Sequence, residues 1–294
     1  MQLVTYERGG ERRLGALFQG QVIDLPDAVG HPAFPSTMEA LVARNGGTTL
    51  DAARDAFEHE DVMEFAVEDP TILVPILPAS LRDFLAFEGH VKLGAERRDT
   101  DVPEAWYEIP VYYKGNHRTV IGPEETLPWP TFTEQLDYEL EVAAIVGKRG
   151  RDLSVDEAQD RIFGYTIMND WSARDLQAKE MSAWLGPAKS KDFATSLGPC
   201  VVTADEFDPA SARLLVRVNG EVRGEGHLAD ARWTFAQMIS YVSRGEDIWP
   251  ADVYGSGTFG GGCGLDQGRF LEPGDLVELE VEGIGVLRNR VGER

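Results

Sequence analysis

Asp137-Tyr138-Glu139-Leu140-Glu141-Val142-Ala143-Ala144-Ile145-Val146 is the stretch on which the fold turns. Strand side chains alternate between faces, so Tyr138, Leu140 and Val142 share one side while Glu139, Glu141, Ala143 and Ile145 share the other. Two carboxylates on one face stand about 6.6 Å apart along a strand. They repel there unless water screens them or a cation lies between them. A solvated face is the plain reading for an acidic chain. The run into Ala143 and Ile145 argues against it, because a face that turns apolar is half buried and buried carboxylates need a partner.

Working outward, Ile162 to Met168 reads as a second buried strand that runs into Asn169-Asp170-Trp171, with Asp170 at its C-terminal end. Between the two strands, Ser154-Val155-Asp156-Glu157 is a capping box that opens a short helix. If the strands are antiparallel neighbours, Glu139, Glu141 and Asp170 gather at one edge of the sheet. Three hard oxygen ligands suit Mg²⁺ or Ca²⁺, with water in the remaining positions. No zinc spacing is present: neither Cys200 nor Cys263 lies in a ligand pair, and no two histidines share a helical turn.

The rest of the chain is also strand-rich. Residues 1–25 read as a meander whose turns are Gly9-Gly10 and Gln19-Gly20. Residues 36–66 carry helical spacing, with Met38, Leu41 and Val42 following Ser36 or Thr37 as cap. Pro70, Pro75 and Pro78 then break the chain, and we expect a small N-terminal β domain over 1–75 and a main domain over 76–294. Asn219-Gly220 between Leu214–Val218 and Glu221–Arg223 predicts a type I′ hairpin. Thr234 to Ser243 reads as an amphipathic helix, and Leu276 to Val281 as an alternating strand. Trp171 and Trp184 read as packing residues.

Composition narrows the function classes. The 294 residues carry 50 Asp+Glu against 28 Lys+Arg, a net charge of −22, which excludes a phosphate-backbone partner. Only six of the basic residues are lysine, a pattern that fits a high-salt interior and an Arg-rich codon bias equally well. Two cysteines are too few for a disulfide scaffold, and no apolar run approaches the roughly 20 residues of a membrane span. A cytoplasmic protein is expected.

Three blocks make the chain resemble the fumarylacetoacetate hydrolase family. They are Asp137-Tyr138-Glu139-Leu140-Glu141, then Met168 through Gln177 (Met-Asn-Asp-Trp-Ser-Ala-Arg-Asp-Leu-Gln), and Gly186 to Pro199, followed by Gly257-Thr258. The resemblance covers residues 80 to 290 and is weaker over the first 75. It implies a β-rich α+β fold, with a mixed β-roll/sandwich catalytic domain, usually dimeric and holding a divalent cation. Glu139, Glu141 and Asp170 match the family's metal ligands, and Asp83 resembles a fourth carboxylate of its hydrolase branch. His90 stands where that branch places its general base, Lys191 matches a lysine on the substrate's oxygens, and Tyr113, Gln177 and Thr258 match substrate-contacting positions.

Two positions depart from the family. Another branch carries His and Glu three apart, but Leu93 follows His90 here, leaving Glu88, Glu96, Glu104 or Glu108 as its acidic partner. Met181 replaces a pocket tyrosine of the hydrolase branch. Residues 83–106, polar and without a strong core face, read as a cover that carries the base. Gly255-Ser256-Gly257-Thr258-Phe259-Gly260 spells a dinucleotide fingerprint, but Gly261-Gly262-Cys263-Gly264 cannot continue it as a helix. A loop that offers backbone N–H groups to a ligand carboxylate is the better reading.

The resulting expectation is a Mg²⁺- or Ca²⁺-dependent homodimeric hydrolase of aromatic catabolism. It would cleave a C–C bond in a small β-dioxo or acylpyruvate-type acid, fumarylacetoacetate- or fumarylpyruvate-like, with water activated by His90. The alternatives are oxaloacetate decarboxylation, 2-oxo-4-enoate hydration or isomerisation through the same enolate, and, further off, a non-catalytic ligand-binding protein.

Overall fold

The computed structural model describes residues 1–44 and 47–294. Among these, eleven strands form one sheet. Its main path runs from Gln21–Asp24 through Glu11–Phe18, Gln2–Arg8, Thr195–Thr203, Ile162–Asp170, Leu140–Val146, Asp252–Gly255 and Ser80–Phe84 to Tyr112–Gly115. A second sheet of five strands contains the hairpin Arg213–Val218 and Glu221–His227, then Leu276–Val281, Gly285–Val291 and Thr126–Leu127. Asn219 and Gly220 both take positive φ, 52° and 77°, as the type I′ turn requires. The fold is a strand-rich α+β architecture, as expected.

The strand Leu140–Val146 explains why its sequence runs apolar. Leu140, Val142, Ala144 and Val146 pack with Val216, Leu279 and Leu287 of the second sheet. Ala143 and Ile145, on the opposite face, pack with Leu41 and Val42 of the helix Met38–Ala43. Both faces of the central sheet are therefore covered, and alternation gives way to a continuous apolar run.

The N-terminal meander forms as read, and its first strand joins the main sheet. Gln2 pairs with Val202 and Leu3 with Val201, so the first strands extend the main sheet. The helical spacing over 36–66 becomes the helices Met38–Ala43, capped by Thr37, and Gly47–Phe57, then a 3₁₀ turn at Val62–Phe65; its positions 45–46 lie outside the described residues.

Candidate metal centre and active site

Register builds the site. The antiparallel pairing of Leu140–Val146 with Ile162–Asp170 sets Glu141 opposite Met168 and Leu140 opposite Asn169. Just beyond it, the Asp170 N–H donates to the Glu139 carbonyl at 3.3 Å. Asp83 arrives from the strand Ser80–Phe84, which pairs in parallel with Asp252–Gly255 and faces Gly255. The carboxylates of Asp83, Glu139, Glu141 and Asp170 are all buried, and each offers one oxygen within 4.8 Å of the others. Gly255 leaves the room for this: a Cβ there would lie 2.7 Å from both Asp83 Oδ1 and Glu141 Oε2.

Four crowded carboxylates need positive charge. Lys191 Nζ donates to Glu139 Oε2 at 2.6 Å and to Asp170 Oδ2 at 2.5 Å. Tyr113 Oη donates to Asp170 Oδ2 at 2.7 Å, and the Gly257 N–H to Glu141 Oε2 at 2.8 Å. Burial acts to raise the Glu139 carboxyl, but the cations of Lys191 and Arg174 override it and hold it well below the usual range. Asp83 and Glu141 have no such partner. Burial, then the charge of Asp170 on Asp83 and of Asp83 on Glu141, pushes both well above the usual range. Asp170 is also raised, by burial and by Glu139, despite Lys191.

Asp83 Oδ1, Glu141 Oε1 and Asp170 Oδ1 are buried and accept no hydrogen bond. An unpaired buried acceptor costs about 1–3 kcal/mol, more if charged. A donor set of carboxylate oxygens alone, with unspent lone pairs, fits a hard divalent cation. Thr258 Oγ1 is likewise buried and unpaired. Gly262 borders it so tightly that a Cβ there would lie 2.4 Å from the hydroxyl oxygen.

Arg174 and Asp137 are the residues that motif reading quoted but gave no role. Arg174 Nε donates to Asp137 Oδ2 and Arg174 Nη2 to Glu139 Oε1, both at 2.7 Å. Arg174 Nη1 donates to Gln177 Oε1 at 3.0 Å, which fixes the amide of that predicted substrate contact. Asp137 also accepts the N–H groups of Gly264 at 2.7 Å and Leu265 at 2.9 Å.

His90 lies on the helix Glu88–Arg97, whose Val91 and Ala95 are buried, so the expected cover has a core face after all. Its acidic partner is none of the four glutamates. His90 Nδ1 stands 3.0 Å from Asp266 Oδ2. Glu88 instead accepts from Tyr107 Oη at 2.8 Å and pairs with Lys92 at 3.0 Å. Burial would raise the Asp266 carboxyl, but the hydrogen bond to His90 holds it below the usual range. An ionised carboxylate only accepts, so Nδ1 carries a hydrogen, and in the neutral imidazole Nε2 is then the acceptor. The pairing spans 176 residues with no local motif. The one signal for it was the glycine run ending just before Asp266, because the Gly261 N–H donates to Asp266 Oδ2 at 2.8 Å.

The same run spends part of its backbone donors within the protein. The N–H groups of Gly257, Gly261 and Gly264 are spent on the protein's own carboxylates, Glu141, Asp266 and Asp137, rather than held for a ligand. Trp171 is a packing residue, fully buried with Nε1 donating to Ser196 Oγ at 2.7 Å. Trp184 is not: it is 93% exposed, in the segment that joins Arg174 to Lys191, with its backbone N–H on the carbonyl of the exposed Met181. Apolar side chains are free to stand in solvent, so hydropathy alone could not place it.

The model of the fumarylacetoacetate (FAA) hydrolase C-terminal domain matches residues 80–292. The chain belongs to the fumarylacetoacetate hydrolase family. Within that family it is 34% identical over 204 residues to the oxaloacetate tautomerase YisK of Bacillus subtilis, a match covering 69% of this chain and 65%, just under two thirds, of that one. It is 28% identical over 288 residues to the mitochondrial oxaloacetate tautomerase Fahd2a of Rattus norvegicus, covering 92% and 84%. The solved fumarylacetoacetate hydrolase of Exiguobacterium antarcticum superposes along the whole of both chains, with a TM-score of 0.80 at 28% identity. The chain is therefore a family enzyme in fold and in its clustered carboxylates. No helix among the described residues is long and apolar enough to cross a membrane.

Proposed function

We propose that the protein is a divalent-cation-dependent enzyme that interconverts the keto and enol forms of a small 2-oxo diacid of the oxaloacetate type. The observation that carries this reading is the buried cluster of Asp83, Glu139, Glu141 and Asp170, bridged by Lys191. A base, His90, is oriented by Asp266. The oxaloacetate tautomerases among the relatives favour this substrate class over others. The four carboxylates would hold Mg²⁺, or Ca²⁺, and the bound cation would polarise the substrate's oxygens and favour the enolate.

The chain's own residues then divide the work. His90 Nε2 takes or returns the proton at the carbon beside the carbonyl. Lys191, held between Glu139 and Asp170, donates to the oxygen on which charge grows. Tyr113, Gln177 and Thr258 orient the acid, Thr258 with its unpaired hydroxyl. Residues 1–75 serve as an accessory unit beside a catalytic domain over 76–294, in a cytoplasmic homodimer.

The second reading is hydrolytic C–C cleavage of a β-dioxo or acylpyruvate-type acid. The His90–Asp266 pair favours it, because the same free nitrogen can activate water. Decarboxylation of oxaloacetate and hydration of a 2-oxo-4-enoate need the same enolate and rank lower. A panel of enol-oxaloacetate, oxaloacetate, acylpyruvate and fumarylpyruvate, assayed with Mg²⁺, Mn²⁺ or a chelator, tests the proposal. Cation-dependent ketonisation of enol-oxaloacetate is expected to be the fastest reaction. Fast acylpyruvate cleavage without ketonisation would transfer the assignment to the hydrolase, and inertness toward all four would end both.

A further inference from the structure

A second ligand cluster lies beside the carboxylate site. His90 Nδ1, Cys263 Sγ and one Asp266 oxygen all fall within 4.8 Å of one another. Nδ1 is 3.0 Å from Asp266 Oδ2 and 3.9 Å from Cys263 Sγ. The helix Glu88–Arg97 supplies the imidazole, and the turn Gly264–Gln267, with Cys263 as its N-cap, supplies the thiol and the carboxylate. Cys263 is fully buried and the Asp266 side chain is 1% exposed, whereas the His90 side chain is 15% exposed and leaves one side open.

We propose that His90, Cys263 and Asp266 form a second metal site, selective for a thiophilic cation of the zinc type, whose occupation switches His90 off. One nitrogen, one sulfur and one oxygen are a zinc donor set, unlike the all-oxygen set next to it. Zinc bonds of about 2.0–2.3 Å at tetrahedral angles place neighbouring ligand atoms about 3.3–3.7 Å apart. The 3.0 Å and 3.9 Å separations bracket that range and the third pair lies within 4.8 Å, so shifts of about an ångström or less close the site. The fourth position falls to water on the open His90 side. Because the ligands come from separate segments, no zinc spacing marks them in the sequence.

The switch follows from tautomers. Bonded to Asp266, Nδ1 holds the ring hydrogen and Nε2 is a base. A metal on Nδ1 displaces that hydrogen, so the neutral ring carries its hydrogen on Nε2 and has no free lone pair for the substrate. The thiol proton and any proton released by the ring pass to solvent. The inhibitory half of the proposal rests on His90 being the base; the binding half does not.

The experiment separates the two halves. The full-length protein, saturated with Mg²⁺, is titrated with Co²⁺ as a spectroscopic stand-in and with Zn²⁺ for inhibition. One equivalent of Co²⁺ is expected to produce a thiolate-to-cobalt charge-transfer band, absent in Cys263→Ser and in His90→Gln but kept in Cys200→Ser. Zn²⁺ is expected to lower turnover at least tenfold in the parent and at least tenfold less potently in Cys263→Ser, each protein being read against its own zinc-free turnover. No band in the parent protein overturns the site, whatever the variants do. Zinc inhibition that excess Mg²⁺ relieves equally in parent and Cys263→Ser also overturns it, since zinc would then only compete for the carboxylates. A band without inhibition upholds the site and counts instead against His90 as the base.

Discussion

Asp137 and Arg174 meet at 2.7 Å with both side chains almost completely buried. The contact joins two halves of the site. Arg174 continues to Glu139, a predicted cation ligand, and Asp137 continues to the N–H groups of Gly264 and Leu265, in the turn that presents Asp266 to His90. One carboxylate thus ties the geometry of the cation ligands to that of the base.

Asp137→Ala is therefore expected to be costly. It leaves a buried guanidinium with one carboxylate partner in place of two, and removing one member of a buried pair typically costs about 3–5 kcal/mol. Denaturant unfolding should show a loss of that order, and kcat should fall in whatever molecules remain folded. Asp137→Asn, which keeps an acceptor for the turn, should lose less stability. A change below about 0.5 kcal/mol in the alanine variant would mean that Arg174 is satisfied by Glu139 alone.

The stability of the protein should depend on pH in opposite ways with and without a divalent cation. The carboxyls of Asp83, Glu141 and Asp170 are raised in the fold. Their contribution is full below the ordinary carboxylate range and is lost as pH rises through their folded values. Glu139 is lowered, so its contribution is present above that range and is lost only as pH falls. Above the ordinary carboxylate range Glu139 stays ionised in both states, so the three raised groups set the slope and the chelated protein loses stability as pH rises. Saturating Mg²⁺ should flatten or reverse the slope, since it favours the ionised forms. A Tm series with chelator and with Mg²⁺ checks this, and parallel curves would count against a cation at these carboxylates.

Gly255→Ala probes the same cluster sterically. The added Cβ would lie 2.3 Å from Met168 Cε and 2.7 Å from the Asp83 and Glu141 oxygens, so something must move. Met168 has a flexible end and can yield, while the two carboxylates have little room. Mg²⁺ affinity, read by calorimetry, should fall at least tenfold. Unchanged affinity would mean that Asp83 and Glu141 do not share the ion.

Much of this site was legible from strand parity. Alternation put Glu139 and Glu141 on the face of Ala143 and Ile145, and the packing clusters divide the strand in the same way. Asp170 followed once the neighbouring strand was taken as antiparallel. Period-two patterning carries that information because neighbours in a sheet share a face. The partner of His90 was not legible, because Asp266 lies on a loop-borne turn with no periodicity to project it across 176 residues. The roles of Asp137 and Arg174 were hidden for a different reason: a buried ion pair looks like any two charges until burial is known.

The last prediction concerns Asp266. If it holds Nδ1–H and leaves Nε2 as the base, Asp266→Asn offers an amide that can donate to Nδ1 and so favours the wrong tautomer. In a serine-protease triad the same swap costs about 10⁴ in kcat with the geometry kept. Here kcat should fall at least about 10²-fold, as for His90→Ala, while Mg²⁺ affinity stays within about twofold, because neither residue belongs to the carboxylate cluster. Lys191→Ala should behave differently, lowering kcat by about 10²–10³-fold and also raising KM, since the ammonium meets an acid that is already anionic in the ground state. Asp266→Asn at parental kcat would show that the imidazole needs no orienting partner. Loss of Mg²⁺ binding in that variant would mean that the turn supports the cation site rather than the base.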